Sequence, residues 1–400
     1  MLSVVTAEKA LEMLEGVFSP YEESEKKAVA DALSGVLIRD IVSQEYIPSF
    51  DRSVVDGFAV KASDTFGAGE NMPAMLNITG EILMGEEASH SISRGECMKI
   101  STGGMLPPGA DSVIMCEYTD EDFGNMCLCY RSVSVGENVS KKGDDVKKGD
   151  TVLKKGSVIN SKSTGVLSAL GITEIDCVKM PVAGIISTGD EIVDCSKKPE
   201  AGEIRDVNSV LISSLLRENG VKTVDYGIVK DKRADIENVF HRALSECDMV
   251  FLSGGSSKGE RDMTAEIISE NGELLFHGLA MKPGKPTIGG KCSGKPVFGL
   301  PGHPAAAFYV TKRLVIPFIK YLTGNNSPEN KGVFILGSDI PSNHGREEIV
   351  PVRTEGKKAF PLFGKSGLVS LLSMSDGYII IDRNREGAFA GEESEVFFTR

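Results

Sequence analysis

The chain has 400 residues, a formal net charge of −13 and a hydrophobic content of 41%. This length exceeds what one hydrophobic core usually organises, so about two to four domains are expected. The acidic balance argues against nucleic acid as the main partner, because binding to a phosphate backbone needs a concentrated basic face. No apolar run is long enough to span a bilayer and no secretory signal is evident, so we expect a cytoplasmic protein without a membrane partner.

The eight cysteines are scattered along the chain. Only Cys127 and Cys129 are close in sequence, and they lack the two-residue spacer of common zinc and redox sites. We therefore expect reduced and mostly structural thiols.

The amino-terminal part of the chain changes its pattern twice. Apolar residues at helical spacing predict helices over residues 6–17 and 21–35. From about residue 47 to 138, short alternating stretches broken by Gly and Pro predict a compact all-β unit. Residues 139–176 contain Gly-Asp turns and a predicted helix over Ser161–Leu170. We expect this segment to rejoin the first helices, so that the β unit is an insertion.

From residue 181 onward, apolar strands alternate with amphipathic helices. This alternation predicts a parallel sheet with helices on both faces and a ligand site beyond the carboxyl ends of its strands. Three loops that follow predicted strands are expected to form a cleft there: Ser187–Glu191, Ser253–Gly259 and Gly299–Pro304. After the linker Thr323–Pro328, short alternating stretches predict a small β-barrel or sandwich.

The segment from Phe251 to Asp262 has the most informative pattern for a ligand. An apolar strand runs into Gly254 and Gly255, and Arg261 and Asp262 stand at the start of the next helix. Glycines allow close approach of a ligand and the first amides of a helix carry partial positive charge, so the segment suits an anion beside a carboxylate. A plain strand-to-helix turn explains the glycine pair equally well.

Acidic residues follow two other predicted strands. Asp190 and Glu191 stand where oxygen ligands and a substrate phosphate would hold Mg²⁺, although a solvated pair is the simpler alternative. Asp231 ends another strand at the same predicted edge, and for it the two explanations are equally balanced.

Further polar motifs lie in turns. Asp51–Gly57 carries two acids, an Arg and a Ser, which is more than a polar turn needs, whereas Thr102–Gly104 alone fits an ordinary hairpin connection. Lys282 and Lys285 flank a rigid turn that suits a phosphate or another oxyanion, with a solvent-exposed turn as the alternative. A lone histidine at a helix start, as at His303, is more often a cap or packing residue than a base.

Seven motifs in this order resemble those of one family, the molybdopterin molybdenumtransferases, which are the MoeA-like proteins related to the gephyrin E domain. The similarity covers essentially the whole chain. The matching stretches are Pro48–Val60, Thr102–Gly104, Gly143–Val146, Ser187–Ile192, Ser253–Asp262, Met281–Pro286 and Gly299–Pro304.

The resemblance implies a multidomain α/β plus β fold. Its central part is a doubly wound, MogA-like α/β domain, accompanied by a helical and extended linker domain, an inserted β domain and a C-terminal small β-barrel. The expected boundaries are 1–46 with 139–176 for the linker domain, 47–138 for the inserted domain, 177–324 for the α/β domain and 328–400 for the barrel. It also implies a homodimer whose active cleft lies between the α/β domain of one subunit and the small β domain of the other.

The resemblance further implies an enzyme of molybdenum cofactor biosynthesis. The family takes adenylylated molybdopterin and molybdate as substrates, cleaves the phosphoanhydride with a divalent cation such as Mg²⁺, and releases AMP. A molybdopterin adenylyltransferase and apo-molybdoenzymes are the protein partners that it suggests. The alternatives are a tungsten-inserting homologue, a non-catalytic gephyrin-like scaffold, and a nucleotide-processing enzyme, which would leave the amino-terminal motifs unexplained.

Carried over position by position, the resemblance assigns roles to residues in both halves of the chain. The expected catalytic residues are all acidic: Asp56, Glu191, Asp231 and Asp262. The expected metal ligands are Asp190, Glu191 and Asp262. The expected substrate-binding residues are Thr102, Asp145, Gly254, Gly255, Ser257, Lys282, Lys285, Pro301 and Pro304. Asp262 is expected to bind metal or orient water at the phosphoanhydride, and the two lysines to neutralise molybdate or phosphate.

The chain departs from the family pattern at four positions. Arg52, Val55, Phe58 and His303 stand where the family commonly has Asn, Met, Tyr and Asn, respectively. The changes at Arg52 and His303 alter charge or hydrogen bonding near the predicted cleft, which leaves the metal preference and the exact substrate open. Arg353 and Ser366 are weaker candidates for binding an anion.

Overall fold

The computed structural model describes residues 4–121, 124–254, 258–364 and 369–399, and for residues 258–262 it describes the backbone alone. The chain divides into two compact units. The larger unit consists of three segments, Met1–Ile38, Gly156–Asn160 and Glu174–Arg400, and the smaller unit of two, Arg39–Lys155 and Ser161–Thr173.

A six-stranded sheet forms the centre of the larger unit. Four neighbouring strands are parallel, in the spatial order Lys222–Val229, Val182–Thr188, Met249–Gly254 and Lys295–Leu300. Two antiparallel strands, Ile288–Cys292 and Gly272–His277, extend the sheet at one side. The sequence pattern predicted the parallel strands, which are apolar runs, but not this antiparallel pair, which is rich in Gly and charged residues.

Helices cover both faces of this sheet, as the doubly wound prediction requires. Because successive side chains of a strand point to opposite faces, Ile185 packs in one hydrophobic cluster and Ile186 in another. The cluster around Ile185 includes residues of the helices Ala7–Val17, Asn208–Glu218 and Pro304–Val310, and of Ile316–Thr323, which follows a π-helical turn at Thr311–Val315. The cluster around Ile186 includes residues of the helices Arg233–Glu246 and Lys258–Asn271.

The amino-terminal segment contains one of the two predicted helices. The helix Ala7–Val17 begins after Thr6, whose hydroxyl accepts a hydrogen bond from the backbone N–H of Lys9 at 3.2 Å. The prediction of a second helix over residues 21–35 is wrong. Residues Ser24–Ala28 form a strand that pairs antiparallel with Glu174–Val178, a partner distant in sequence that the local pattern does not reveal. Only a short 3₁₀ turn, Val29–Asp31, follows it.

The carboxyl-terminal residues form a small closed barrel. Its strands, in spatial order, are Met281–Lys282, Glu347–Glu355, Lys358–Pro361, Lys331–Leu336, Glu393–Phe398 and Gly377–Ile381. An additional pairing between Glu347–Glu355 and Gly377–Ile381 closes the sheet. A short strand pair, Ile340–Pro341 with Gly387–Ala388, and the helix Ser370–Met374 complete this part. The predicted small β-barrel is confirmed.

The smaller unit is built on a second six-stranded sheet. Its strands, in spatial order, are Ser112–Met115, Gly57–Val60, Glu96–Ile100, Ala74–Ile82, Met126–Cys129 and Thr119–Asp120. Two short antiparallel pairs accompany it, Arg52–Ser53 with Val139–Ser140 and Ile41–Val42 with Thr151–Leu153. A helix is present at Ser161–Ala169, as predicted. The expected fold class is thereby confirmed, whereas the four exact domain ranges remain a prediction.

Candidate active site

Parallel strands of the larger unit end at the same side of their sheet, so the loops after Thr188 and Val229 lie at its carboxyl edge. The central strand Val182–Thr188 pairs with Lys222–Val229 on one side and with Met249–Gly254 on the other. Register places Thr188 opposite both Val229 and Gly254. The strand order that the sequence predicted therefore brings the loop of Asp190 next to Asp231, whereas the predicted loop Ser253–Gly259 lies mostly outside the described residues.

Asp190 and Asp231 are brought together at this edge. The backbone N–H of Asp190 donates to Oδ2 of Asp231 at 3.1 Å, and the N–H of Asp231 donates to Oδ1 of Asp190 at 3.3 Å. Nζ of Lys230 also donates to the backbone carbonyl of Asp190 at 2.6 Å. The reciprocal bonds fix two carboxylates side by side. We call Asp190, Glu191 and Asp231 the acidic edge.

Glu191 continues the same loop. Its backbone carbonyl accepts a hydrogen bond from the N–H of Ile204 at 2.9 Å, where the short strands Ile192–Val193 and Ile204–Arg205 run parallel. This pairing holds the loop in place while the Glu191 side chain stays half-buried. The structure therefore gathers three of the predicted acids within one loop region.

Gly254 is required by the packing of the sheet edge. A Cβ at this position would lie 2.1 Å from the carbonyl oxygen of Thr188, a contact that no side chain tolerates. The glycine therefore permits close approach of the neighbouring strand, in addition to the ligand approach that the sequence suggested. Its neighbours Gly255 and Ser257 lie outside the described residues.

Asp262 is placed by its backbone alone. It belongs to the helix Lys258–Asn271, which follows the strand Met249–Gly254 as the sequence predicts. Its side chain, like that of Arg261, lies outside the described part of the structure. The predicted metal set of Asp190, Glu191 and Asp262 therefore stays a prediction.

Asn208 is a buried residue of this region that the sequence reasoning missed. Its Nδ2 donates to Oγ of Ser253 at 2.8 Å and to the carbonyl oxygens of Pro301 and Gly302 at 3.3 and 3.0 Å. Its Oδ1 is buried without a hydrogen-bond partner. Asn208 thus connects the end of the strand Met249–Gly254 to the loop after the strand Lys295–Leu300. No local sequence motif indicates such a connection.

A cavity of about 1040 Å³ lies between the turn Met281–Pro286, the start of the helix at Pro304 and the barrel strand Glu347–Glu355. Both predicted lysines, Lys282 and Lys285, line it together with Arg346. We call this space the lysine cavity. The sequence reasoning missed Arg346, because the barrel brings it to the turn from a distant segment.

The turn that carries the two lysines is tightly constrained. Gly284 has φ of +124°, and a Cβ there would lie 2.6 Å from Cγ2 of Val310. Oγ1 of Thr287 donates to the carbonyl of Gly284 at 2.7 Å, and the N–H of Leu279 donates to the carbonyl of Lys285 at 2.9 Å. The backbone that presents the lysines is therefore fixed before any ligand binds.

The loop Gly299–Pro304 borders the same cavity. Pro301 is buried and lines the cavity with His303, whereas Pro304 opens the helix Pro304–Val310 without being among the lining residues. The His303 side chain makes no capping hydrogen bond to that helix. The buried Tyr309 also lines the cavity, and burial raises the pKa of its phenol, which therefore stays protonated near neutral pH.

Arg353 stands apart from the lysine cavity. Its guanidinium pairs with Glu355, and it is absent from the described residues that line the space. Ser366, the other weak candidate, lies outside the described residues.

In the smaller unit, Asp56 and Thr102 are in direct contact. Oδ1 of Asp56 accepts hydrogen bonds from the backbone N–H and the hydroxyl of Thr102, at 2.7 and 3.1 Å. The carbonyl of Asp56 also accepts from the N–H of Cys116 at 3.1 Å. The structure therefore unites two residues that are far apart in sequence and that the sequence assigned to the site.

Asp145 lies on a neighbouring turn of the smaller unit. Its N–H donates to the carbonyl of Ile47 at 3.0 Å, and its side chain is exposed. Asp51 links this turn to the Asp56 loop, since its Oδ1 accepts from the N–H of Lys142 at 2.7 Å. The segments of the smaller unit that carry predicted site residues therefore lie close together.

The acidic edge has the donor chemistry that Mg²⁺ prefers, because carboxylate oxygens are its usual protein ligands. Among the described residues, no group of three or more His, Cys, Asp or Glu side chains is arranged to hold a metal ion. Of the predicted metal ligands, the described side chains Asp190 and Glu191 lie in one loop of this edge, and Asp231 holds that loop through its hydrogen bonds with Asp190. In the same part of the chain, every helix is too short or too polar to cross a membrane.

Three family models match the chain in sequence order. The MoeA N-terminal region (domain I and II) matches residues 5–171, the "probable molybdopterin binding domain" matches residues 184–321, and the MoeA C-terminal region (domain IV) matches residues 334–398. Together these models account for most of the chain.

Relatives match over nearly their full length. The molybdopterin molybdenumtransferase of Haemophilus influenzae is 31% identical, covering 92% of this chain and 92% of the relative. The enzyme of the same name from Bacillus subtilis is 30% identical, covering 96% of this chain and 91% of the relative. A crystal structure of the molybdopterin biosynthesis MoeA protein from Pyrococcus horikoshii OT3 is 33% identical, has a TM-score of 0.88, and covers 99% of this chain and 100% of that one.

The fold and the site define a multidomain α/β plus β protein with an acidic sheet edge and a cation-lined cavity in its larger unit. Its three family regions follow one another along the chain and together cover most of it. The chain therefore belongs to the MoeA family of molybdopterin molybdenumtransferases.

Proposed function

We propose that this chain is an enzyme of molybdenum cofactor biosynthesis that inserts molybdate into adenylylated molybdopterin. The reaction cleaves the phosphoanhydride in the presence of Mg²⁺, releases AMP and leaves molybdenum on the dithiolene of the pterin. The full-length match to the family carries this proposal, and the enzyme name of the relatives supplies the substrate class.

The lysine cavity would receive an oxyanion. Lys282, Lys285 and Arg346 are cations among the described residues that line it, and the constrained turn means that little backbone entropy is lost when an anion binds. Molybdate carries two negative charges, so several converging cations suit it. The larger, apolar part of the cavity would accommodate a bulkier part of the substrate.

The acidic edge would hold the divalent cation. Asp190 and Glu191 would contribute carboxylate oxygens, together with Asp262 of the adjacent helix, and Asp231 would hold the loop of Asp190 through the reciprocal hydrogen bonds. Mg²⁺ bound there would neutralise charge on the phosphoanhydride oxygens. Asp262 is proposed to orient the water that attacks phosphorus, while the amides near Gly254 face the phosphate.

The smaller unit would supply Asp56, Thr102 and Asp145 to the substrate. In the family this requires a homodimer, which we propose for this chain together with a cytoplasmic location. The protein partners proposed are a molybdopterin adenylyltransferase, which would deliver the substrate, and apo-molybdoenzymes, which would receive the product.

The direct test is AMP release from adenylylated molybdopterin in the presence of Mg²⁺ and molybdate, repeated with tungstate. We expect AMP to form with the wild type, and the faster oxyanion identifies the metal that the enzyme inserts. A protein that is inert with both oxyanions yet binds its partners tightly would indicate a scaffold instead. Turnover of free nucleotides without pterin would indicate a nucleotide-processing enzyme.

A further inference from the structure

Lys282 does not face the lysine cavity as a free cation. Its Nζ donates to Oε1 of Glu348 at 2.6 Å, and Oε2 of Glu348 accepts from the hydroxyl of Ser342 at 2.7 Å. The Glu348 side chain is only 14% exposed, whereas that of Lys282 is 48% exposed. A well-held carboxylate therefore occupies one donor of the ammonium before any ligand arrives.

The backbone fixes this pair. The strand Met281–Lys282 runs parallel to the barrel strand Glu347–Glu355, and register places Lys282 opposite Glu348. The adjacent Glu347 takes a different partner, because its carboxylate accepts from Nε of Arg313 at 2.9 Å. The contact between Lys282 and Glu348 is thus specified by strand pairing rather than by chance contact of two surface side chains.

Glu348 also differs in the sign of its charge from the other charged residues described in the lysine cavity. Among the described residues that line the lysine cavity, Lys282, Lys285 and Arg346 are cationic and Glu348 is the one acid. A carboxylate that is mostly withdrawn from water acts on a nearby anion more strongly than an exposed one, since less solvent screens it. An acidic residue in a site that attracts anions weakens the binding of those anions. The presence of Glu348 in this cavity therefore suggests that it has a function there.

We propose that Glu348 is a built-in competitor of the bound oxyanion for the ammonium of Lys282. It holds Lys282 at the cavity wall in the free protein, and it offsets enough positive charge that an oxyanion binds loosely and leaves readily. This inference rests on the proposed function of the lysine cavity as an oxyanion site. Glu348 is therefore a positioning residue that sets affinity, rather than one that touches the reacting atoms.

The test is molybdate binding to the full-length protein, measured by isothermal titration calorimetry on folded variants. Removal of one charge beside the anion through Glu348→Gln, which keeps the side-chain shape, is expected to lower the Kd about tenfold. The matched control Glu347→Gln removes the same charge from the same strand but from a residue outside the cavity lining, and its Kd is expected within about twofold of the wild type. In the Lys282→Ala background, the gain from Glu348→Gln is expected to shrink.

The outcomes separate this inference from the proposed function. If Lys282→Ala weakens molybdate binding while Glu348→Gln leaves it unchanged or weaker, the competitor role is overturned and the oxyanion site stands. If Lys282→Ala has no effect, the oxyanion site itself is wrong. Should Glu348→Gln fail to fold, Glu348→Ala also removes the charge, and a lower Kd than that of the wild type is again expected. An unchanged Kd in a folded Glu348→Ala protein would overturn the proposal.

Discussion

The acidic edge and the lysine cavity of the larger unit hold their charged groups in different ways. At the acidic edge, Asp190 and Asp231 are fixed by each other's backbone N–H groups in loops that follow sheet strands. At the lysine cavity, Lys282 is held by a carboxylate of the barrel whose side chain is only 14% exposed. The first region is assembled by strand order in the parallel sheet, and the second by the pairing of a two-residue strand with a barrel strand that is distant in sequence.

This difference has a chemical consequence. Carboxylates at an exposed edge attract cations and cations that line a cavity attract anions, so we propose the first region for Mg²⁺ and the second for an oxyanion. Asn208 joins the two regions, since it binds Ser253 at the sheet edge and the carbonyl of Pro301, a residue of the cavity lining. Substitutions in each region, and then at Asn208, test these different roles.

The largest effect is expected from the lysine cavity. Replacement of both Lys282 and Lys285 by Ala removes two of the three cations among the described lining residues, so the Kd for molybdate is expected to rise about 100-fold or more. Calorimetric titration of molybdate measures this change. Lys222→Ala is the control, because this exposed lysine begins a strand of the parallel sheet and therefore lies at the amino ends of its strands. Equal loss in the control would show that net charge, and not the cavity, governs binding.

At the acidic edge, Asp231→Asn removes a carboxylate while keeping its shape. We expect AMP release to slow about 10- to 100-fold and to require more Mg²⁺ for half-maximal rate, because the loop of Asp190 loses a charged acceptor. A Mg²⁺ titration of the initial rate measures both quantities. Asp248→Asn is the matched control, since Asp248 also accepts a backbone N–H, from Val182 at 2.8 Å, but at the amino edge of the sheet. A rate and Mg²⁺ requirement equal to those of this control would contradict the assignment.

The link between the regions is tested by Asn208→Ala. The substitution leaves the hydroxyl of Ser253 and the carbonyls of Pro301 and Gly302 without their donor, so the free energy of unfolding is expected to fall by about 2–4 kcal/mol. Urea unfolding measures this change. Asn219→Ala, at the other end of the same helix, loses only one bond to the carbonyl of Leu215 and is expected to cost about 1 kcal/mol. Equal decreases in the free energy of unfolding for both variants would contradict the proposed role of Asn208 as a connection between the two regions.

The smallest effect concerns thiol reactivity, with Cys195 as a reporter of the acidic edge. Cys116 and Cys195 are exposed and the other six cysteines are buried, and burial raises the pKa of Cys292 to about 11. A thiol with a raised pKa stays protonated and unreactive until the pH approaches that value, so near neutral pH a thiol reagent should label two cysteines in the native protein and eight in denaturant. Labelling of Cys195, four residues after Glu191, should slow when Mg²⁺ binds, but not when molybdate binds alone. More than two reactive native thiols would contradict the buried positions.

The two regions also differ in how far the sequence predicts them. The acidic edge followed from strand order, because polar loops after apolar parallel strands must meet at one edge. The pairing of Lys282 with Glu348 did not, since it depends on the register between a two-residue strand and a barrel strand that lies far along the chain. Arg346 and Asn208 were missed for the same reason, as neither belongs to a local motif.

The incorrect prediction of a helix over residues 21–35 has a similar cause. Apolar spacing there is compatible with a helix, but the strand Ser24–Ala28 is stabilised by backbone bonds to Glu174–Val178, which local patterns do not contain. The resemblance to the family assigned roles to Asp56 and Thr102, although Thr102–Gly104 alone fits an ordinary hairpin connection. Their hydrogen bond places the two residues in contact, and their roles remain a prediction.

The decisive measurement is AMP release by the wild-type protein supplied with adenylylated molybdopterin, Mg²⁺ and molybdate. We expect AMP formation to depend on both the oxyanion and the metal ion, and the double variant with Ala at Lys282 and Lys285 to release AMP far more slowly. An absence of AMP with both molybdate and tungstate, from a folded protein that binds the pterin substrate, would contradict it.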